Sequence, residues 1–221
     1  MKIILAINSK DPNYVWLDTL IKSAKGFDEI LLYIDSVDAT PECKKDMLER
    51  TPSVKIINDG KSRSIAEGFN HVVSQAEGDW ICSFCDDDYF KESALANLLS
   101  LIRSGTLDDA DIVHFPVLTG DGRWGDHPSI TFEELKNYNM LPHGSFFRKK
   151  VFDAIGGYQV DAGADWDFFL RAAKKGFVFR YYSEPVYFFR MGHERSAWNK
   201  QVRELGTNEI KRRILENVER S

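Results

Sequence analysis

An α/β fold, with a mostly parallel central sheet flanked by helices in a single domain, is what this 221-residue sequence predicts. Two observations carry that expectation. Apolar runs of strand length alternate with stretches whose apolar residues recur at helical spacing, and Gly, Pro, Asn and Asp punctuate the changes. The composition, 43% hydrophobic and 13% aromatic, also holds enough material for one sizeable core. There is no internal repeat, low-complexity tract or interdomain linker.

In chain order, residues 2–7 read as a first strand. Asp11-Pro12 then offers a cap and first-turn proline to a helix carrying Trp16, Leu17, Leu20, Ile21 and Ala24, stopped by Gly26. Residues 29–34 form a second strand ending at Asp35, and Thr40-Pro41-Glu42 opens another helix. A third strand at 54–57 runs into the turn Asn58-Asp59-Gly60, and the next helix has Ile65, Ala66, Phe69, Val72, Val73 and Ala76 on one side. After the fourth strand come a helix marked by Leu95, Leu98, Leu99 and Ile102 and a fifth strand at 111–116. Residues 118–130, rich in glycine, read as a loop, and Thr131 with Glu134 forms a capping box. Beyond it are a strand at 145–147, a short helix at 150–155, a clear helix at 165–175, strands at 177–182 and 186–190, and a last helix at about 201–218 on the domain's edge.

The fourth strand organises the rest. Residues 80–84 form a short apolar run that ends in Cys85 and three carboxylates, Asp86, Asp87 and Asp88, as a strand buried on both faces does when it ends at a polar site. Adjacent carboxylates repel one another and accept a divalent cation readily. Ligands of open α/β sheets bind beyond the carboxyl ends of strands, here the row Asn8, Asp35, Asn58 and Asp86.

Other classes are excluded. A formal net charge of -5 without a dense basic patch argues against nucleic-acid binding. No apolar segment approaches the length of a membrane span, and the opening run is short for a signal peptide, so a cytoplasmic protein is expected. The three cysteines fit a reducing compartment; Cys82 and Cys85, three apart on a strand, point to opposite faces and cannot share a ligand. Gly60-Lys61-Ser62 lacks the glycine that a phosphate loop needs five residues earlier, where Lys55 stands, and no G-x-G-x-x-G follows an early strand.

The order of Asn8, Asp35-Ser36-Val37-Asp38-Ala39-Thr40, Asn58-Asp59-Gly60 with Ala66 and Asn70, Asp86-Asp87-Asp88, and Gly163-Ala164-Asp165-Trp166-Asp167 resembles a family 2 glycosyltransferase of the GT-A fold, to about His193. The resemblance implies a Rossmann-like nucleotide-sugar-binding half at 1–117, an acceptor half at 118–200 and a C-terminal helix at 201–221. It also implies an inverting transferase that moves a sugar from a nucleotide-sugar donor, a UDP-sugar, to a hydroxyl acceptor. Asp86 and Asp88 would hold Mn²⁺ or Mg²⁺ on the donor diphosphate, with His193 at the metal or diphosphate, and Asp165 would be the general base. Asn8, Asp35, Arg63, Asp86 and Asp87 would bind the donor, Asp35 at the base or ribose and Arg63 at the base or diphosphate. Ala164 replaces the acidic residue usual before the base, and Asp35-Ser36 replaces a paired aspartate, which leaves the nucleotide open.

The chemistry of that reaction suits these residues. A cation on strand-end carboxylates stabilises the leaving diphosphate, and a carboxylate opposite takes the proton of a poor nucleophile. For Asp165 the plain alternative is a helix cap; Asp167, a helical step of about 200° away, is the substitute base. Asp35 reads equally as a turn cap, and Trp198 as a sugar-stacking or a packing residue. The segment 192–198 has the makings of a lid. A sugar-nucleotide-binding protein without catalysis and a nucleotidyltransferase remain the alternatives, although the latter needs a glycine-rich basic loop where Asn8-Ser9-Lys10-Asp11-Pro12 stands.

Overall fold

The computed structural model describes residues 1–10, 12–35, 54–191, 193 and 196–221. Strand β1 (Ile3–Lys10) is buried at nearly every position, and its alternate residues serve opposite faces of the sheet. Ile4 and Ala6 join one apolar cluster, whereas Ile3, Leu5 and Ile7 join the other. The strand runs three residues beyond the expected end, because its neighbour β2 (Glu29–Asp35) pairs with it in parallel as far as Lys10 opposite Asp35.

Helix α1 (Tyr14–Ser23) starts later than Asp11-Pro12 suggested. Its cap is Asn13, whose side-chain oxygen accepts from the amides of Val15 and Trp16 at 3.1 and 3.2 Å. The helix expected after Thr40, with Cys43, lies outside the described residues. Strand β3 (Val54–Ile57) falls where predicted, and helix α2 (Ile65–Ser74) opens on a capping box, Ser64 with Glu67. Strand β4 (Trp80–Cys85) follows; Cys82 packs on one face of the sheet and Cys85 on the other.

The seven-stranded sheet takes in β6 (Ile112–His114), β9 (Phe146–Arg148) and β10 (Phe179–Tyr181), in the order β10-β6-β9-β4-β1-β2-β3. All its pairings are parallel except those of β9, which lies antiparallel between β4 and β6. The chain leaves β1 toward β2 on one side and reaches β4 on the other, so the crevice at the carboxyl ends of β1 and β4 is the switch point where ligands of such sheets bind.

A second sheet, in the order β5-β11-β7-β8, is made of β5 (Tyr89–Phe90), which follows the acidic end of β4, β7 (Val117–Thr119), β8 (Gly122–Trp124) and β11 (Tyr187–Phe188). The stretch read as a loop thus contains a hairpin, whose turn Gly120-Asp121 joins Thr119 to Gly122. Helix α3 (Glu92–Arg103) covers one face of the large sheet through Leu95, Leu98, Leu99 and Ile102.

The other face is covered by α2, by α5 (Lys149–Ile155) and by α6 (Ala164–Lys174), while the one-turn α4 (Phe132–Leu135) packs beside α6 through Leu135. The single last helix expected is two, α7 (Ala197–Leu205) and α8 (Thr207–Arg220), broken at Gly206, whose φ of 79° and ψ of 148° no helix continues. Nor does it only skirt an edge: Ile210, Ile214 and Val218 are buried in the same cluster as Phe168 and Phe169. Two ties join the early and late parts of the chain on this face. Asn70 and Tyr158 exchange bonds of 2.8 Å through the Asn70 amide, and Asp161 caps the amide of Ala66 at 2.8 Å.

Candidate active site

The acidic tip sits where β4 leaves the sheet, and its three carboxylates meet different surroundings. Register puts Asn8 beside Cys85, which carries the next residue of β1, Ser9, to the tip, and the Ser9 hydroxyl donates to Asp86 Oδ2 at 2.7 Å. Asp86 and Asp88 are buried at 6% and 7% exposure, so they belong to the interior of a crevice rather than to a solvated turn. Asp88 Oδ1 accepts from the Arg190 amide at 2.8 Å. Burial, and then the neighbouring Asp87 charge, push the Asp88 carboxyl well above the usual carboxylate range. Burial and the surrounding carboxylates push the Cys85 thiol up in the same way. Buried carboxylates are hard oxygen donors, and this pair fits a divalent cation of the Mg²⁺ or Mn²⁺ type.

His193 lies against the acidic tip. Its Nε2 lies 3.3 Å from Asp87 Oδ2, its ring stands edge-on to Trp16 at 5.0 Å, and its Nδ1 is buried without a hydrogen-bond partner. Among the described residues no three His, Cys, Asp or Glu side chains gather as a ligand set. Of the lid segment 192–198, residues 192, 194 and 195 lie outside the described residues.

Arg190 is the residue that sequence reasoning missed. Its guanidinium lies between the rings of Tyr89 at 4.8 Å and Trp16 at 5.1 Å and donates to the Asp87 carbonyl. Cation–π contact on both sides and a backbone bond to Asp88 fix a positive charge beside the acidic tip. The signal lay in pattern breaks: Arg190 ends the last strand-like run, and Trp16 read as a core residue of α1 although it is only partly buried.

On the other side of β1, the remaining expected donor-binding residues form a connected group. Asp35, 3% exposed, accepts from the Arg63 amide at 2.9 Å and lies 3.8 Å from Lys10 Nζ. Arg63 is not a freely solvated arginine: it forks onto both Asp59 oxygens at 2.8 and 2.5 Å and reaches the Tyr33 hydroxyl at 2.5 Å. The Arg63 bonds hold the Asp59 carboxyl well below its usual range. Asn8 turns toward α2, with Nδ2 3.4 Å from the Ile65 carbonyl and Oδ1 buried without a partner. Gly68 makes that approach possible, because a Cβ there would come within 2.6 Å of Asn8 Nδ2.

The first turn of α6 carries Asp165. The cap of this helix is Gly163, with φ at 72° and no side-chain bond, so Asp165 is not the cap that the plain alternative made it. The Asp165 carboxylate is half-buried and accepts from Asn139 Nδ2 at 2.9 Å. Asp167 is fully buried, bonded to Arg171 at 2.7 Å and to Asn217 at 2.7 Å, and cannot substitute as a base for a substrate in the crevice. Asp165 shares its neighbourhood with the tip. Its charge acts together with that of Asp87 on the buried His143 ring, with that of Asp88 on Tyr187, and with all three tip carboxylates on Cys85. Trp198, 38% exposed, comes close to Gly163, and Trp124, 41% exposed, stacks on Phe189.

An open, mostly parallel sheet whose central strand ends in buried aspartates at the switch point is the layout of the GT-A glycosyltransferase fold. The chain belongs to glycosyl transferase family 2, whose model matches residues 3–160. It is 30% identical over 130 residues to the uncharacterized glycosyltransferase YwdF of Bacillus subtilis, a match covering 55% of this chain and 48% of that protein. It therefore spans about half the length of that curated relative. Among solved structures it is similar to S. aureus TarS 1–349 in complex with UDP, at a TM-score of 0.67 and 15% identity over 87% of this chain and 61% of that one. It is also similar to the mannosyltransferase PcManGT from Pyrobaculum calidifontis in complex with GDP-Man and Mn²⁺, at 0.68 and 15% over 97% and 64%. At such identity these likenesses speak for the fold. No helix among the described residues is long and apolar enough to cross a membrane.

Proposed function

We propose that this protein is an inverting glycosyltransferase that moves a sugar from a nucleoside-diphosphate sugar, a UDP-sugar, to a hydroxyl acceptor with the help of a divalent cation. The observation that carries the reading is the pair Asp86 and Asp88, buried where β4 leaves the sheet at its switch point. Family membership, and neighbours of the same fold that hold UDP or GDP-Man with Mn²⁺, support it.

Asp86 and Asp88 would hold the cation, which would supply positive charge against the charge that develops on the leaving diphosphate. Arg190, fixed between Trp16 and Tyr89, adds a positive charge next to Asp87. Asp35 and Arg63 form the wall on which base and ribose rest. The acceptor oxygen attacks the anomeric carbon from the side opposite the diphosphate. Its bond to that carbon forms as the carbon–phosphate oxygen bond breaks, its proton passes to an Asp165 carboxylate oxygen, and the nucleoside diphosphate leaves with the bonding electrons. A positioned carboxylate of this kind supplies about 10²- to 10⁴-fold in rate.

The test is calorimetry of UDP, with GDP in parallel, in the presence and absence of Mn²⁺. Binding is expected to need the metal, and Asp88→Asn is expected to weaken the metal-dependent part by at least the roughly 10-fold that disturbing a metal's outer shell costs, with an unchanged Tm. Equal affinity with and without Mn²⁺ in the native protein would contradict the reading.

A further inference from the structure

We infer that Asn139 is a positioning residue that sets the direction of the Asp165 carboxylate, an inference that rests on Asp165 being the base. Nothing in the first turn of α6 holds that carboxylate. Its cap is a glycine, and the residue before it, Ala164, has no polar group. Among the described residues the hydrogen bond from Asn139 Nδ2 to Asp165 Oδ2, at 2.9 Å, is the one that engages the Asp165 side chain. It comes from a separate part of the chain, 26 residues earlier.

The orientation of the Asn139 amide follows from its second bond. Asn139 Oδ1 accepts from the Leu141 amide at 3.2 Å, so the carbonyl end is committed to the backbone and the NH₂ end is turned to the carboxylate. The segment that carries Asn139 is itself anchored on both sides. Leu135, Met140 and Leu141 are buried in the main cluster, and the indole of Trp166, the residue after Asp165, donates to the Leu135 carbonyl at 2.6 Å. Two bonds from adjacent residues of α6, one from Trp166 and one to Asp165, thus fasten the helix start to the 135–141 segment. A base acts only when its lone pair points at the proton it takes, and an orienting partner supplies that geometry. With Oδ2 engaged, Oδ1 is the oxygen left to take the proton of the incoming hydroxyl.

Two substitutions separate this role from a structural one. Asn139→Asp keeps the size and the acceptor for Leu141 but replaces the donor to Asp165 with a second carboxylate that repels it; Asn139→Ala removes both bonds. The assay is release of UDP from UDP-N-acetylglucosamine and of GDP from GDP-mannose with Mn²⁺, alongside UDP affinity and Tm. Both variants are expected to lower kcat by about 10- to 100-fold, the scale of a lost bond to a charged group, with KM for the donor, UDP affinity and Tm near native. Combined with Asp165→Asn, neither should slow turnover further, because its effect passes through that carboxylate. Native kcat in Asn139→Asp with loss in Asn139→Ala would overturn the inference and leave Asn139 as a turn former, and so would additive losses in the double variants. Native turnover in Asp165→Asn alone would remove the base itself, a failure that the single variants identify as separate.

Discussion

Asp165 and Asp167 lie two residues apart on one helix and face different worlds. Asp165, on the crevice side, is half-buried and holds a single bond to a neutral amide. Asp167, on the inner side, is fully buried against Arg171, whose guanidinium also bonds the carbonyls of Ile155 and Gly157, and against Asn217 of the last helix. The first arrangement leaves a carboxylate able to exchange a proton with a ligand. The second is a clamp that joins α6, the end of α5 and α8. Identical side chains take separate roles because the helical step turns them apart and the partners, not the residue type, decide what each can do.

The largest effect that would break the comparison is on stability. Asp167→Ala strands the buried Arg171 cation, and removal of one member of such a pair costs about 3–5 kcal/mol. Chemical denaturation should show that loss, with native turnover in whatever fraction stays folded. A drop in kcat at unchanged stability would instead move catalysis to the inner side of the helix.

His114 sharpens the same point as a buried group with no balancing charge. It is 1% exposed, packed against Tyr181 and Phe179, and its Nδ1 has no hydrogen-bond partner. Burial, and then His127, depress its pKa from 6.5 to about 4. The folded pKa lies below the unfolded one, so the unfolded chain takes up the proton first as pH falls. Stability contributed by the neutral ring is complete above about pH 6.5 and is lost down to about pH 4, by about 3 kcal/mol. Replacing His114 with Phe should flatten the Tm-against-pH curve across that window, and an unchanged slope would contradict the account.

Much of this was legible from sequence. The apolar run of β4 with its acidic end, the glycine turn after β3 and the Thr131 capping box each combine a local pattern with a local cause. What stayed hidden depends on distant partners. Phe146–Arg148 is too short for a period to reveal that it runs antiparallel between β4 and β6. The pairing of Asp167 with Asn217 spans 50 residues, and the turn of His193 to Asp87 arises where the last strand folds back over the tip. Gly206 could have been read as a helix break, since its spacing interrupts the apolar stripe between Leu205 and Ile210.

The most direct measurement of the central claim is transfer and binding in Asp165→Asn. The amide keeps the size of the side chain but takes away its basicity. UDP affinity in Mn²⁺ and Tm should stay native, while release of nucleoside diphosphate from the donor falls by roughly 10²-fold or more. Native turnover in that variant, or loss of UDP binding in step with turnover, would contradict the assignment of Asp165 as the base.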